Sequence, residues 1–257
     1  MKHPLRTLLL AVCCGLAAAC TQRQERLKLM SYNIRNGIGI DNIQDIGRIA
    51  RVILREAPDL VALQELDSAT LRVDGRYIPG ELGRMTGMHA TFGRAIGFAG
   101  GSYGIGLLSR TEPLAVRSIP LPGREEARVL LMAEFPDYTV CITHLSLTPE
   151  DRLASLPIIR EATDTCRKPV LLAGDFNTGN AAAVLAGLGG GFRILSDTTR
   201  MTFPSDNPAV RIDYILGRGL PTSATVAESA VDHTATASDH CPLWVTLVFK
   251  RGKQPGK

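Results

Sequence analysis

The apolar residues of this chain fall into short runs, and five clusters of polar residues stand at the ends of such runs. The clusters are Ser31-Tyr32-Asn33, Gln64-Glu65, Thr143-His144 with Gly174-Asp175-Phe176-Asn177, Arg211-Ile212-Asp213-Tyr214, and Ser238-Asp239-His240. Runs this short read as strands. Side chains at strand ends and in the loops beyond them can converge on one rim of a sheet. The fold must therefore bury the runs and bring their polar ends to a common edge.

Leu27 to Ile34 alternates as a strand does. Asp41 or Asn42 is placed to cap a helix with apolar positions Ile43, Ile46, Ile49, Ala50, Ile53 and Leu54, whose spacings of three and four mark one buried face. Pro58 ends that helix, and Asp59 to Leu63 reads as a buried strand. Strand, helix and strand within about 40 residues make a βαβ-sized unit. A second helix is expected over 80–85, then strands over 105–109, 114–119, 129–135 and 138–143, the last two joined by a hairpin at Asp137. Thr148-Pro149-Glu150-Asp151 has the composition of a helix start: a capping hydroxyl, proline at the first position and acids in the first turn. That helix runs towards Cys166, and Pro157 inside it predicts a kink or break. A buried strand over 170–173, an Ala-rich helix over 181–188, and strands over 211–216, 224–226 and 243–249 complete the chain. Helices interspersed with hairpins predict an α/β fold of two packed sheets with helices outside, rather than a purely parallel doubly wound sheet.

At 257 residues and 45% hydrophobic content, the chain is long enough for one large core. Residues 1–19 read as a targeting segment: Lys2 and Arg6 precede an apolar stretch, Thr7 to Ala19, of about 13 residues, too short for a comfortable membrane span. Cys20 follows Leu16-Ala17-Ala18-Ala19, which resembles a bacterial lipobox in which that Cys is lipidated; Ala17 stands where Leu is usual. Cleavage after Ala19 without lipidation is the alternative. Either route takes the protein out of the cytoplasm, lipid-anchored in the cell envelope or else secreted or periplasmic. A short tether over 20–26, a folded domain over 27–250 and a disordered tail over 251–257 follow. Two of the positive charges in the net +4 belong to the targeting segment, leaving +2, which neither demands nor excludes a polyanionic partner. Beyond Cys20 the cysteines are Cys141, Cys166 and Cys241, an odd number without zinc-site spacing, read as buried free thiols. Gly100-Gly101 and Gly189 to Gly191 lack the Gly-Lys-Ser/Thr continuation of a phosphate-binding loop and read as loops.

Asn33, Glu65 and Asp239 offer hard oxygen ligands of the kind that suit Mg²⁺ or Mn²⁺. His144 and His240 can handle protons near neutral pH, and Asp213 can orient one imidazole. Each residue alone also has a plain structural reading. Glu65 could be solvated surface, Asp175 and Asn177 could build a turn, and His144 could be a satisfied core histidine. His89 and His233 fall in no cluster and read as loop residues. As a set, the residues suit metal-assisted hydrolysis of a phosphoester.

The ordered motifs Met30-Ser31-Tyr32-Asn33-Ile34-Arg35, Leu63-Gln64-Glu65, Tyr103-Gly104-Ile105-Gly106-Leu107-Leu108-Ser109, Thr143-His144-Leu145-Ser146, Gly174-Asp175-Phe176-Asn177, Arg211-Ile212-Asp213-Tyr214-Ile215 and Ser238-Asp239-His240 resemble the endonuclease/exonuclease/phosphatase superfamily over about residues 27–249. Deoxyribonuclease I-like nucleases, apurinic endonucleases, inositol polyphosphate phosphatases and neutral sphingomyelinases belong to it. The stretch from Gly87 to Tyr103 looks like a bacterial subgroup of metal-dependent hydrolases. The resemblance implies a four-layer α/β sandwich and a divalent-metal phosphoesterase. Carried over by motif, Glu65 is the principal metal ligand, Asn33 a metal or phosphate ligand, and Asp239 lies beside the metal. Asp175 positions or deprotonates the attacking water, and Asn177 steadies the water or the phosphate. His240, held by Asp213, contacts phosphate or transfers a proton, and His144 is the second imidazole. Relatives often carry Asn where this chain has Ile105, so an amide donor near the phosphate is absent; Tyr103 either compensates or packs its ring. Arg211 either reaches phosphate or lies on the surface beside its strand.

The expected activity is hydrolysis of a phosphodiester or phosphomonoester by a monomer, on a small or lipid-linked substrate, since an anchor would place the site near lipid headgroups. The alternative is a secreted or anchored nuclease acting on DNA or RNA, for which Arg72, Arg76, Arg84, Arg94 and Arg124 leave room. A non-catalytic binding protein on the same fold is the third reading, and the intact set of Glu, Asp and His residues speaks against it.

Overall fold

The computed structural model describes residues 24–250. The targeting segment, the lipidation candidate Cys20 and the tail over 251–257 lie outside the described residues.

In chain order the elements are β1 (Gln24–Asn33), α1 (Ile46–Glu56), β2 (Leu60–Ser68), α2 (Ile78–Thr86), β3 (His89–Phe98), β4 (Gly101–Ser109), β5 (Ala115–Leu121), β6 (Arg128–Glu134), β7 (Thr139–His144), α3 (Pro149–Asp164), β8 (Val170–Asp175), α4 (Ala181–Leu188), β9 (Arg193–Ile194), β10 (Asp213–Arg218), β11 (Thr225–Val231) and β12 (Leu243–Lys250). They form two six-stranded mixed sheets, ordered β11-β12-β1-β2-β4-β3 and β5-β6-β7-β8-β10-β9. Each sheet has one parallel pair at its centre, β1–β2 and β7–β8, joined through the crossover helices α1 and α3. All other pairings are antiparallel.

Three apolar cores separate four layers, and strand alternation assigns residues to them. In β1, Leu27 and Leu29 enter the core between the sheets, while Met30 and Tyr32 face α1 and α2. In β8, Leu171 and Ala173 face the other sheet, and Val170 and Leu172 face α3 and α4. Strands buried on both faces read as continuous apolar runs, which is how they stand in the sequence. No helix among the described residues is long and apolar enough to cross a membrane.

Several expectations need correction. The first helix begins at Ile46 with Asp45 as its cap, because Asn42 takes a left-handed backbone (φ 58°). Ile43 then precedes the helix and is 60% exposed, and Leu54 lies a step off the buried stripe of Ile46, Ile49, Ala50 and Ile53. Thr148 does not cap α3; its hydroxyl donates to Glu125 Oε2 at 3.2 Å. Pro157 does not break α3, which continues to Asp164. Both Pro157 and Leu153, whose carbonyl loses its N–H partner, lie on the exposed face, where water can serve that carbonyl. His89 is the first residue of β3, a strand whose mixed burial hides its alternation. Its hairpin to β4 turns through Ala99 (φ 43°) and Gly100 (φ 80°), a left-handed pair suited to the right-handed strand twist. Cys141 and Cys241 are buried free thiols, and Cys166 is a free thiol with partial exposure.

A proline inside a helix costs about 3 kcal/mol relative to alanine, partly offset by its smaller unfolded-state entropy. Pro157→Ala is therefore expected to stabilise the protein by about 1–2 kcal/mol, read as a higher urea midpoint; a lower midpoint would show that α3 needs the proline.

Candidate active site

The polar clusters meet at one rim, and topology is the reason. Asn33, His144 and Asp175 end β1, β7 and β8, and Glu65 lies late in β2, so the parallel pairs deliver all four to their carboxyl ends. Asp213 starts β10, which runs antiparallel to β8, and pairs with Asp175. Ser238-Asp239-His240 leads into β12, antiparallel to β1.

Phase along the strands then aims the side chains between the sheets. Asn33 continues the series Leu27, Leu29 and Ser31; His144 follows Val140 and Ile142; Asp175 follows Leu171 and Ala173; Asp213 precedes Ile215. Strict alternation would turn Glu65 towards the helices with Leu63. A bulge between Leu63 and Leu66, with Glu65 in left-handed backbone (φ 59°), resets the phase. Leu66 takes the helix-facing place, and Glu65 Oε1 accepts from Asn33 Nδ2 at 3.0 Å. Gly174 permits the close approach of β8 to β7, since a Cβ there would lie 2.0 Å from the Thr143 carbonyl oxygen.

Asp175 is the centre of the cluster. Its Oδ2 accepts from Asn33 Nδ2 at 3.2 Å and lies 3.6 Å from His144 Nε2 and 3.7 Å from His240 Nε2. Its Oδ1 accepts from the Asn177 backbone N–H at 2.8 Å, and the Asn177 side chain donates to the Leu145 carbonyl at 2.8 Å. His240 Nδ1 lies 3.0 Å from Asp213 Oδ2 and, protonated there, donates to it. The Ser238 hydroxyl donates to the Asn33 carbonyl at 2.7 Å, fastening the last motif to the first.

Burial and neighbouring charge separate the two imidazoles. Burial, the Arg128 cation and His240 push His144 well below the usual histidine range, so it is neutral. Burial also opposes charge on His240, but Asp213, by charge and hydrogen bond, with Asp175 and Asp239, raises it to about 10. Asp175 is raised by burial and by repulsion from Asp213.

Asp175, Asp213 and His240 place ligand atoms within 4.8 Å of one another, close enough to share an ion. Within the three, His240 is hydrogen-bonded to Asp213 at 3.0 Å and lies 3.7 Å from Asp175, a contact that favours its cationic form. Glu65 and Asp239 are only partly buried, whereas Asn33 is buried and its Oδ1 accepts from the Arg35 N–H at 3.1 Å; the three side chains are a set of hard oxygen donors of the kind that fits a divalent ion retaining water. Asp239 Oδ2 lies 3.4 Å from Arg35 Nε.

Of the two substrate candidates, Tyr103 borders the cluster at His144. Tyr103 is buried with its ring beside Phe98 and under the Arg72 guanidinium, and it lines a shallow cleft with Ile105, Glu126, Arg128 and His144. Arg211 is buried rather than on the surface. Its guanidinium stacks on Tyr214 at 4.0 Å and donates to the Asp197 carbonyl at 2.8 Å. A surface cleft of about 480 Å³ between β5, β6 and the end of α3 contains none of the cluster residues.

Glu125 escaped sequence reading. Burial opposes its charge, yet bonds from the Ser146 hydroxyl (2.7 Å), the Leu147 N–H (2.7 Å) and Thr148 hold it down to about 2. It fixes the loop that follows His144, but Glu125 stands in a polar loop with no apolar run to flag it.

The family described as Endonuclease/Exonuclease/phosphatase family matches residues 30–240. Among solved structures, the endonuclease/exonuclease/phosphatase from Beutenbergia cavernae is 23% identical, with 87% of this chain and 72% of that one covered and a TM-score of 0.70. The Bacteroides thetaiotaomicron mannosyl-6-phosphatase is 19% identical, with 87% and 100% covered and a TM-score of 0.69. D. rerio TDP2 complexed with single strand DNA product is 22% identical, with 86% and 98% covered and a TM-score of 0.65. The comparison with curated proteins finds no match.

His240 is raised from 6.5, so the stability contributed by its pairing is full below pH 6.5 and is lost as pH rises through about 10. Asp213→Asn is expected to leave the His240 ring neutral at pH 8, whereas the unsubstituted protein keeps it protonated, as read from imidazole ¹⁵N shifts. A ring still protonated in the variant would assign its charge to Asp175.

Proposed function

The chain belongs to the endonuclease/exonuclease/phosphatase family, and on that premise we propose that it is a divalent-metal-dependent hydrolase of small, soluble phosphodiesters or phosphomonoesters, acting as a monomer. The observation that carries this reading is the single Asn33 amide shared by Glu65 and Asp175, which sets a partly buried oxygen donor beside a fully buried proton acceptor.

Glu65, Asn33 and Asp239 would hold Mg²⁺ or Mn²⁺. When bound, the ion offsets negative charge on the phosphoryl oxygens. The remaining work falls to the side chains. Asp175, buried and raised, takes a proton from the water that attacks in line, and its bond to Asn177 fixes the orientation of the carboxylate. His240, cationic and braced by Asp213, donates to a phosphoryl oxygen as charge builds. His144, neutral, serves as the second hydrogen-bonding imidazole on the opposite side of Asp175.

Envelope location and lipidation at Cys20 remain part of this proposal, but the direction of β1 changes what they imply. β1 starts at Gln24 and reaches the rim only at Asn33, the last of its ten residues, a rise of about 30 Å. Three residues lie between Cys20 and Gln24, four steps along the chain that reach at most about 14 Å. β1 also lies between β12 and β2 inside its sheet, so its first residue, Gln24, is not on an edge strand. An anchored domain would thus carry its rim away from the bilayer, which favours a soluble substrate over a headgroup of the same membrane. The mannosyl-6-phosphatase likeness supports a small phosphoester. The TDP2 likeness supports the nuclease alternative. Against that alternative, Arg72, Arg76 and Arg124 are each held by a carboxylate: Asp67, Glu81 and Asp151.

Chelation with EDTA and the substitution Glu65→Gln are each expected to reduce hydrolysis of bis-p-nitrophenyl phosphate or sugar phosphates to near background, with the fold intact by circular dichroism. His240→Ala should lower turnover by about 10²-fold or more, while His89→Ala and His233→Ala change it little. Faster cleavage of plasmid DNA than of small phosphoesters would replace this reading with the nuclease. Release of headgroup from phospholipid vesicles as the dominant activity would overturn the argument from β1.

A further inference from the structure

We propose that Arg72 is a positioning residue, clamping the loop that carries Asn33 to the bulge that carries Glu65 and thereby setting the affinity of the metal site. The inference rests on the reading of Glu65 and Asn33 as metal ligands.

Arg72 lies in a 3-10 turn, Leu71–Val73, beyond β2. Its Nε donates to Asp67 Oδ2 at 2.7 Å, and its Nη2 donates to Asn36 Oδ1 at 2.6 Å. Asp67 stands two residues after Glu65, and Asn36 three residues after Asn33. One planar guanidinium thus ties together the two backbone segments whose relative position fixes the Asn33–Glu65 contact. Both ends are rigid. Asp67 is fully buried and its other oxygen accepts from the Thr70 hydroxyl at 2.8 Å. Asn36 is buried, in left-handed backbone (φ 54°), next to Arg35, also left-handed (φ 43°). The Arg35 N–H donates to Asn33 Oδ1 at 3.1 Å, so a shift of Asn36 is felt at the ligand. The clamp is itself braced from β3 and β4, with the guanidinium carbon 4.6 Å from the Phe98 ring and 5.1 Å from the Tyr103 ring. Residues that orient ligands without touching the ion typically change metal affinity 10–100-fold when replaced. A lysine cannot reproduce the fork, since its single ammonium cannot reach both acceptors in one plane.

The test is calorimetric titration of Mn²⁺ into the purified protein, with melting temperatures recorded in EDTA. Arg72→Lys and Asn36→Ala are each expected to weaken Mn²⁺ binding by about tenfold or more, with melting temperatures in EDTA close to that of the unsubstituted protein. The double variant should be no weaker than the weaker single, because each removes the same clamp. Unchanged affinity in Arg72→Lys, or losses that multiply in the double variant, overturns the proposal. If Arg72→Lys fails to fold, Asn36→Ala decides by the same criterion. Glu65→Gln separates the two levels: if it binds Mn²⁺ as tightly as the unsubstituted protein, the ligand reading itself is wrong, whereas loss there with full affinity in Arg72→Lys removes only the clamp.

Discussion

One amide joins the two halves of this molecule at the place where its chemistry would occur. Asn33 Nδ2 donates to Glu65 in its own sheet and to Asp175 in the other. The His240–Asp213 bond is a second polar link at the rim, while between the strands the sheets meet through Leu29, Ala62, Leu107, Leu131, Ile142, Ala173 and Ile215, contacts that are strong in sum but carry no directional information. Apolar packing tolerates small slides, and the amide does not, because its two protons point at fixed acceptors. The relative placement of the Glu65 and Asp175 carboxylates therefore depends on a hydrogen bond that apolar packing brings within range.

Much of this was legible because burial on both faces of a strand leaves a simple trace. β1, β2, β7, β8, β10 and β12 appear as apolar runs, and the inward phase of Asn33, His144, Asp175 and Asp213 can be counted from their neighbours. Glu65 is the exception: its run predicts an outward side chain, and the bulge that reverses it depends on pairing with β4 at Gly104 and Gly106, which lie far along the chain. β3 was missed because its exposure is mixed and its apolar residues do not alternate cleanly. Pro157 misled because local propensity ignores which face of α3 meets water. Glu125 and Arg128 were invisible for a different reason: their importance lies in which loop they hold and which imidazole they face, and neither is a property of sequence spacing.

The two imidazoles show how neighbours assign charge to identical side chains. Both flank Asp175 at nearly equal distance, 3.6 Å and 3.7 Å. His240 has Asp213 at 3.0 Å as well, while His144 has the Arg128 guanidinium in its surroundings. Burial disfavours the cation at both, so the second neighbour decides the state of each. An Asp175 carboxylate between one cationic and one neutral ring can accept a proton from water without leaving two positive charges side by side. That asymmetry is built from β10 on one side and β6 on the other, so it is a consequence of which strands flank the central parallel pair of the second sheet.

The same topology that gathers the rim also removes it from the chain's entry point. Because β1 and β2 are parallel and joined by α1, their carboxyl ends lie together, and the start of β1 must lie at the opposite pole. Any tether leading into β1 is thus constrained to the end remote from the carboxylates, whatever its chemistry. Proximity of an anchor in sequence to Asn33 is a poor guide to proximity in space, since a ten-residue strand spans most of the sheet's height. If the protein is held at a membrane through residues before Gln24, the length of β1 separates that attachment from the rim.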